Sequence, residues 1–165
     1  MPAIDDLDAQ IARLFLAEPK IGVLEASRRL GVARATVQTR LDRLAERGVI
    51  ASWSPTVSPA ALGYPVTAFL TLEVVQGEGR APVADHLASI PEVLEACTIT
   101  GAGDLWCRVV ARSNTDLQRV LDAVVSEPSI VRVATVIALQ TELAPRVAPL
   151  LDAALGLDTA APPAP

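Results

Sequence analysis

The spacing of apolar residues changes along this chain of 165 residues, and the change predicts two domains of different architecture. In the first fifty residues, apolar positions such as Val37, Leu41 and Leu44 recur every three or four residues, which is the period of an amphipathic helix. Between Val66 and Val74 apolar residues stand at every second position, which is the period of a half-buried strand. A helical domain is therefore expected first, followed by a domain that contains a sheet.

Three short helices and a strand are predicted in the first part of the chain. The first helix spans about residues 6–16, where acidic side chains suit a helix N-terminus, and the second spans residues 23–30. The third spans residues 34–47. Gly31 tolerates the positive φ of a tight turn, so the second and third helices form a helix-turn-helix. Residues 48–57 are predicted to leave the third helix as a strand.

Positive charge is concentrated in this helix-turn-helix. Residues 20–50 carry seven basic and three acidic side chains, a net charge of +4, whereas residues 51–165 carry a net charge of −6. Arg, Gln and Thr side chains outside the apolar stripe of the third helix suit base edges and phosphates in a major groove. DNA binding is therefore predicted, although a packing unit with a solvated basic face would show the same pattern. The residues predicted near bases are Arg34, Ala35, Thr36, Gln38 and Thr39, and those near phosphates are Arg28, Arg29, Arg40 and Arg43.

The remaining pattern predicts an α+β domain with the element order β-α-β-β-α-β. This order is that of the ferredoxin-like fold, a four-stranded antiparallel sheet with two helices on one face. The predicted strands are 66–74, 93–100, 104–111 and 130–139, the predicted helices are 82–90 and one capped by Ser113 or Asn114, and residues 76–79 are a predicted loop.

The predicted hairpin of the second and third strands has one face toward the core and one face without a covering helix. Cys97 and Cys107 are predicted to meet across the strands in the core, as neighbouring thiols rather than as a redox pair. Large apolar side chains on the uncovered face indicate a partner surface. The predicted core set is Cys97, Ile99, Leu105, Cys107 and Val109, and the uncovered set is Thr98, Thr100, Trp106 and Arg108 with Thr67, Phe69 and Thr71.

Four segments carry motifs that are shared with one protein family. They are Leu7-Asp8, residues 25–32, residues 40–50 and the turn at residues 100–104. Over about residues 5–142 the chain resembles the Lrp/AsnC, or feast/famine, transcription regulators. The resemblance implies a winged helix-turn-helix domain and a C-terminal ferredoxin-like (RAM-type) domain. It also implies an amino acid or related metabolite as effector, and homodimers that pair through their sheet faces and often assemble further, commonly to octamers.

The resemblance also implies that the effector binds at subunit interfaces, near the turn between the second and third strands. Backbone N–H groups of a turn without bulky side chains can approach a carboxylate, and Asp104 can meet an ammonium group. The alternative is a plain hairpin turn in which Asp104 accepts hydrogen bonds from backbone amides. The candidate effector-binding residues are Thr100, Gly101, Ala102, Gly103 and Asp104.

Four segments are predicted in total. Residues 1–50 form the DNA-binding domain and residues 51–65 a linker strand. Residues 66–142 form the effector-binding and oligomerisation domain, and residues 143–165 a C-terminal helix with a disordered tail.

Other functional classes have little support in the composition. One histidine and two cysteines predict no catalytic site, no metal site and no cofactor. An acidic N-terminus and the lack of a long apolar run predict a cytoplasmic protein without membrane contact. Two alternatives to an effector-controlled regulator stay open. One is an architectural DNA-binding protein without effector, and the other is an enzyme similar to the siroheme decarboxylases.

Overall fold

The computed structural model describes residues 4–75, 81–154 and 156, which divide into two compact units. One unit contains the residues up to 55 and those from 143 on, and the other contains residues 56–142. The predicted loop at residues 76–79 and the predicted C-terminal tail lie outside the described residues. The elements in chain order are α1 Asp6–Ala17, α2 Val23–Leu30, α3 Arg34–Glu46, β1 Val66–Val74, α4 Ala81–Ser89, β2 Val93–Thr98, β3 Leu105–Ala111, α5 Asn114–Val125, β4 Ile130–Ala138 and α6 Ala148–Ala154.

The three helices predicted in the first unit are confirmed. α1 begins at a capping box, in which the Asp5 carboxylate accepts a hydrogen bond from the backbone N–H of Asp8 at 2.9 Å. α2 ends at Gly31, whose φ of 66° lies in the left-handed region, and α3 begins three residues later at Arg34. The apolar stripes of the three helices meet in one core, whose buried members are Ile11, Ala26, Val37, Leu41 and Leu44.

The predicted linker strand is wrong. Residues 51–58 are exposed and irregular, and the chain then makes a 3-10 turn at Ala60–Leu62 before β1 begins. A strand needs a neighbouring strand for its backbone hydrogen bonds, and the described part of the first unit contains none. Pro55 in addition has no N–H to donate. Trp53 packs edge-to-face on Phe15 instead, with ring centroids 5.6 Å apart.

The C-terminal helix α6 belongs to the first unit, where it packs against α1. Arg13 of α1 and Asp152 of α6 form an ion pair with an N–O distance of 3.1 Å. The first unit is therefore a three-helix domain with an added fourth helix from the other end of the chain.

The second unit has the predicted ferredoxin-like fold. Its four strands form one antiparallel sheet in the order β2-β3-β1-β4, and α4 and α5 cover one face. Alternate residues of β1, among them Leu70 and Leu72, are buried under these helices. The Ser113 hydroxyl accepts a hydrogen bond from the N–H of Asp116 at 3.0 Å, which confirms the predicted cap of α5.

The register of β2 on β3 overturns the predicted faces of β2, whereas β3 has the predicted faces, with Leu105, Cys107 and Val109 buried. Cys97 lies opposite Trp106, and Ala96 lies opposite Cys107. The prediction centred the hairpin on residue 102, whereas these pairs are centred between residues 101 and 102. Side chains alternate along a strand, so a shift of one residue moves each of them to the opposite face. Cys97 is therefore exposed and Cys107 is buried, and the two thiols do not face each other. The same shift places Thr98 opposite the buried Leu105, and Ile99 follows the end of β2 and is half-buried.

Candidate nucleic-acid interface and effector loop

The polar side of α3 is the candidate nucleic-acid interface. Val37, Leu41 and Leu44 are buried in the core of the first unit, which leaves the opposite side of α3 in solvent. Of the five residues predicted near bases, Arg34, Ala35, Gln38 and Thr39 are exposed, and Thr36 is half-buried at the edge of this side.

Two of the exposed side chains of α3 differ in the bonds that they form within the protein. The Gln38 amide donates a hydrogen bond to the Asp42 carboxylate at 2.9 Å, one turn further along α3. Arg34, the first residue of α3, forms no ion pair within the described part of the chain. The Arg34 guanidinium group therefore keeps all of its donors for another molecule.

Arg40 and Arg43, both predicted near phosphates, contact two carboxylates at the beginning of α1. Arg40 Nη1 donates to both oxygens of Asp5, at 2.6 and 2.5 Å, and to Asp8 Oδ1 at 2.7 Å. Arg43 Nη2 donates to both oxygens of Asp8, at 2.8 and 2.7 Å. The side chain of Asp8 is only 1% exposed, so its charge is balanced inside the protein. We name these four residues the Asp-Arg cluster.

The two arginines of the Asp-Arg cluster differ in exposure and in the number of their bonds to carboxylates. Arg40 is 24% exposed, and its hydrogen bond to Asp5 raises the pKa of Arg40 and lowers the pKa of Asp5. Arg43 is 44% exposed, and only its Nη2 is bonded to carboxylates. Arg40 therefore joins α3 to the beginning of α1, whereas Arg43 stays accessible from solvent.

The predicted phosphate contacts on α2 are also paired with acids. Arg29 donates to Glu18 and, at 3.3 Å, to Glu25, and the bond to Glu18 is the main reason that the pKa of Arg29 is raised. Arg28 lies 3.7 Å from Glu25. All of these side chains are exposed. Exposed ion pairs contribute little to the stability of the fold, and solvent can replace either partner.

The carboxylates of α1 that pair with these arginines were not predicted, because the net charge of residues 20–50 was considered apart from that of residues 1–19. Residues 1–50 together carry eight basic and seven acidic side chains, a net charge of +1. One signal was available, since Asp8 falls between Leu7 and Ile11 in the apolar stripe of α1. A carboxylate at such a position is buried, and a buried carboxylate needs a cation beside it.

The predicted effector loop is tied to β1 at its second half. The N–H of Asp104 donates to the carbonyl of Leu72 at 2.8 Å, and the Asp104 carboxylate accepts from the N–H of Val74 at 2.9 Å. A Cβ on Gly103 would lie 2.5 Å from Thr71 Cγ2 and 3.0 Å from the Leu72 carbonyl oxygen, so glycine is required there.

The first half of the loop is open. Thr100, Gly101 and Ala102 are exposed, and Gly101 has a φ of 121°, which a side chain would disfavour. Gly103 and Asp104 therefore fix the base of the loop, and the three preceding residues present their backbone to solvent. The Asp104 carboxylate thus accepts a hydrogen bond from at least one backbone amide, which is the arrangement that the plain-turn alternative predicts.

Cys107 and His86 both lie in the second unit and are engaged within it. Burial raises the pKa of the Cys107 thiol to about 11, so Cys107 stays protonated at neutral pH. His86 Nε2 lies 2.9 Å from the carbonyl oxygen of Ala123 and so joins α4 to α5. Among the described residues, no group of three or more His, Cys, Asp or Glu side chains is placed to hold a metal, and no helix could span a membrane.

The sheet of the second unit has one face without helices, which we call the uncovered face. Phe69 and Trp106 stack there with ring centroids 5.3 Å apart and an interplanar angle of 19°. Val136 of β4 lies opposite Phe69 and is 65% exposed. Cys97 extends the same face along β2. The uncovered face therefore presents aromatic and aliphatic side chains to solvent.

Comparisons with known proteins match both units. The model of a winged helix-turn-helix DNA-binding family matches residues 4–51, and that of the Lrp/AsnC ligand binding domain matches residues 67–147. The HTH-type transcriptional regulator FL11 of Pyrococcus horikoshii is 31% identical over 138 residues, which cover 84% of this chain and 91% of that protein.

Solved structures agree over nearly the same span. The structure of E. coli AsnC is similar with a TM-score of 0.81 and 27% identity, and the match covers 88% of this chain and 99% of that one. The feast or famine regulatory protein of M. tuberculosis, solved in complex with L-methionine, has a TM-score of 0.78 and 26% identity, with coverages of 87% and 97%. The chain thus belongs to the Lrp/AsnC family and is a DNA-binding transcription regulator of that type.

Proposed function

We propose that this regulator contacts DNA with the exposed side of α3. The observation that carries this proposal is the burial of one side of α3 in the core, which leaves a polar side with Arg34 and Gln38 in solvent. In helix-turn-helix proteins, the N-terminal residues of the second helix approach base edges in the major groove. The proposed base-proximal residues are Arg34, Ala35, Thr36, Gln38 and Thr39.

The phosphate contacts are assigned to the accessible arginines. Arg28 and Arg29 have exposed partners that a phosphate can replace, and Arg43 has free donors beside its bond to Asp8. Arg40 is assigned to the contact between α1 and α3 instead, because carboxylates surround its Nη1. The predicted role of Arg40 near phosphates is therefore replaced by a structural one.

Selection of bound fragments from genomic DNA tests the assignment. We expect wild-type protein to enrich a recurrent sequence, and Arg34→Ala and Gln38→Ala to weaken or alter that enrichment. Arg13→Ala is a matched control, because Arg13 lies on α1 and pairs with Asp152 of α6. Enrichment by Arg34→Ala and Gln38→Ala that equals that of Arg13→Ala would show that another surface contacts DNA.

We further propose that two chains pair through the uncovered face and that dimers assemble further, up to octamers. Half-buried aromatic rings beside an exposed valine on a sheet face without helices support an interface. The net charge of +1 over residues 1–50 also supports it, because a single domain with so little charge gains little from phosphate contacts. Two linked domains bind two half-sites, and the second binding event is then intramolecular.

Two valines of β4 offer a matched test of the dimer. Val136 lies on the uncovered face and is 65% exposed, whereas Val131 is 61% exposed and falls at the irregularity of β4. We expect Val136→Glu to lower the molar mass measured by light scattering, and Val131→Glu to leave the dimer mass unchanged. A dimer that persists in Val136→Glu would contradict pairing through this face.

The effector is proposed to be an amino acid that binds near residues 100–104. The M. tuberculosis relative was solved in complex with L-methionine, and the exposed backbone of Thr100, Gly101 and Ala102 suits a carboxylate. A thermal shift screen of the twenty amino acids tests the proposal, since a ligand of the folded state raises the melting temperature. Stabilisation that disappears in Gly101→Val would support the loop as the site.

An architectural DNA-binding protein without effector is the second candidate. One observation favours it, namely that the Asp104 carboxylate already accepts a hydrogen bond from Val74. The absence of stabilisation by every amino acid, together with DNA binding that does not respond to them, would decide for this candidate. In either case we propose a cytoplasmic protein without catalytic activity.

A further inference from the structure

We propose that Asp8 is a positioning residue for DNA binding, which fixes the guanidinium group of Arg43 so that its remaining N–H groups meet a backbone phosphate. The inference rests on the proposed contact of α3 with DNA. It assigns a role in that contact to a buried carboxylate of α1, outside the helix-turn-helix.

The geometry of the Arg43–Asp8 pair leaves part of the guanidinium group available. Nη2 of Arg43 reaches both carboxylate oxygens of Asp8, at 2.8 and 2.7 Å. Nε and Nη1 of Arg43 make no hydrogen bond to any residue that the structure describes. The side chain of Arg43 is 44% exposed. Arg43 is thus held by one nitrogen and open at the others.

Asp8 is a fixed anchor rather than a mobile counter-ion. Its side chain is 1% exposed, and its carboxylate also takes part in the capping box of α1 and accepts from Arg40 at 2.7 Å. A carboxylate held from three directions has little freedom to follow Arg43. The bond therefore restricts Arg43, and a side chain that is restricted before binding loses less entropy when it meets DNA.

Arg43 lies on the same side of α3 as two of the proposed base-proximal residues. It follows Thr39 by four positions and Thr36 by seven, and residues at these spacings are neighbours on a helix surface. A phosphate contact by Arg43 therefore belongs to the same docking of α3 as the base contacts. Arg40 lies beside Arg43 but is turned toward Asp5.

The direction in which DNA affinity changes on removal of the Asp8 charge distinguishes a positioning role of Asp8 from a purely electrostatic one. A carboxylate near DNA repels phosphates, so its removal is expected to strengthen binding if charge is all that matters. If Asp8 positions Arg43, removal of the Asp8 charge weakens binding instead. Asp42 is the matched control, because it is an exposed acid next to Arg43 in sequence whose carboxylate is bonded to Gln38.

The experiment measures binding of the full-length protein to a labelled duplex of generic sequence, by fluorescence anisotropy over a series of salt concentrations. The variants are Asp8→Asn, Arg43→Gln, the double variant and Asp42→Asn. Arg43→Gln is expected to weaken binding about tenfold for each lost phosphate contact, which corresponds to one charge-assisted hydrogen bond, and hence about 100-fold for a dimer. It should also lower the salt slope by about 0.9 for each lost phosphate contact, hence by about 1.8 for a dimer.

The proposal requires two further results. Asp8→Asn weakens binding about three- to tenfold in the wild-type background and has no effect in the Arg43→Gln background, because the two residues act through one contact. Asp42→Asn binds as tightly as wild type or more tightly. An increase in affinity in Asp8→Asn like that in Asp42→Asn would overturn the proposal, and so would an equal loss of affinity with and without Arg43.

A second measurement covers the case in which Asp8→Asn does not fold. In an NMR spectrum of the wild-type protein, the Nη protons of Arg43 should give resolved signals that exchange slowly with water, unlike those of Arg34. Averaged signals for both arginines would refute the positioning role. Failure of the proposed function would look different, since Arg34→Ala and Arg43→Gln would then bind the duplex as wild type does.

Discussion

Arg40→Ala is expected to destabilise the first unit while Arg34→Ala does not. Arg40 Nη1 contacts three carboxylate oxygens of Asp5 and Asp8, and its removal leaves the buried Asp8 with Arg43 as its remaining arginine. Removal of one partner from a buried ion pair typically costs about 3–5 kcal/mol, and because Arg43 remains we expect about 2–3 kcal/mol here. Arg34 forms no ion pair in the described structure, so its truncation should change stability by less than about 0.5 kcal/mol.

Hydrogen exchange measured by mass spectrometry is the appropriate assay, because it reports the opening free energy of each segment separately. Peptides from α1 and α3 of Arg40→Ala should exchange faster by the factor that corresponds to 2–3 kcal/mol, about 30- to 150-fold. Peptides from β1 and β3 should be unchanged and serve as an internal control. Equal exchange of α1 peptides in Arg40→Ala and Arg34→Ala would refute the structural role of Arg40.

The loss of stability in Arg40→Ala is also expected to depend on pH. The hydrogen bond from Arg40 lowers the pKa of Asp5 below its ordinary value of 3.8. A group with a lowered pKa in the folded state adds stability that is complete above the unfolded value and is lost as the pH falls through the folded value. The difference in exchange between wild type and Arg40→Ala should therefore be constant from about pH 7 to pH 5 and decrease below about pH 4. A difference that grows on acidification would show that the sign is wrong.

Three more predictions follow from particular contacts. Gly103→Ala should destabilise the second unit by about 1–3 kcal/mol, measured by urea unfolding, because the added Cβ would lie only 2.5 Å from Thr71 Cγ2. Unchanged stability would show that the loop relaxes freely. In the Val136→Glu variant, in which the uncovered face is expected to be free, a thiol reagent at about pH 8 should modify Cys97 rapidly and Cys107 only on unfolding, because burial raises the pKa of Cys107 to about 11. Two fast thiols would contradict the register of β2 on β3. Ser113→Ala should cost about 1 kcal/mol through loss of the α5 cap, and Ser113→Asp should retain most of the stability.

The elements of both units were predictable because their signals are local. The helices of the first unit follow from apolar spacing and from Gly31, and β1 has the predicted bounds Val66–Val74. The order of strands and helices was sufficient to predict the ferredoxin-like fold, because few sheet topologies satisfy a β-α-β-β-α-β order with short connections. The residues of α3 that lie in solvent also follow from the position of its apolar stripe.

Contacts between distant residues were not predictable in the same way. Arg40 and Arg43 meet carboxylates that lie 32 to 35 positions earlier, and Asp104 meets Val74, 30 positions earlier. A charge count along the chain separates such partners, whereas folding brings them together. The sequence therefore predicted a cationic helix, and the structure shows a helix whose two central arginines are balanced by α1.

The sequence by itself determined where helices and strands form, which glycine ends α2, and which side of α3 is polar, because these depend on neighbours within a few residues. Only the tertiary structure decided that residues 48–57 have no strand partner, that Cys97 faces away from Cys107, and that Arg40 joins two helices. The physical reason is common to all three. Hydrogen bonds and ion pairs across the fold depend on which atoms lie within about 3 Å of each other, and that distance is set by packing and register rather than by spacing along the chain.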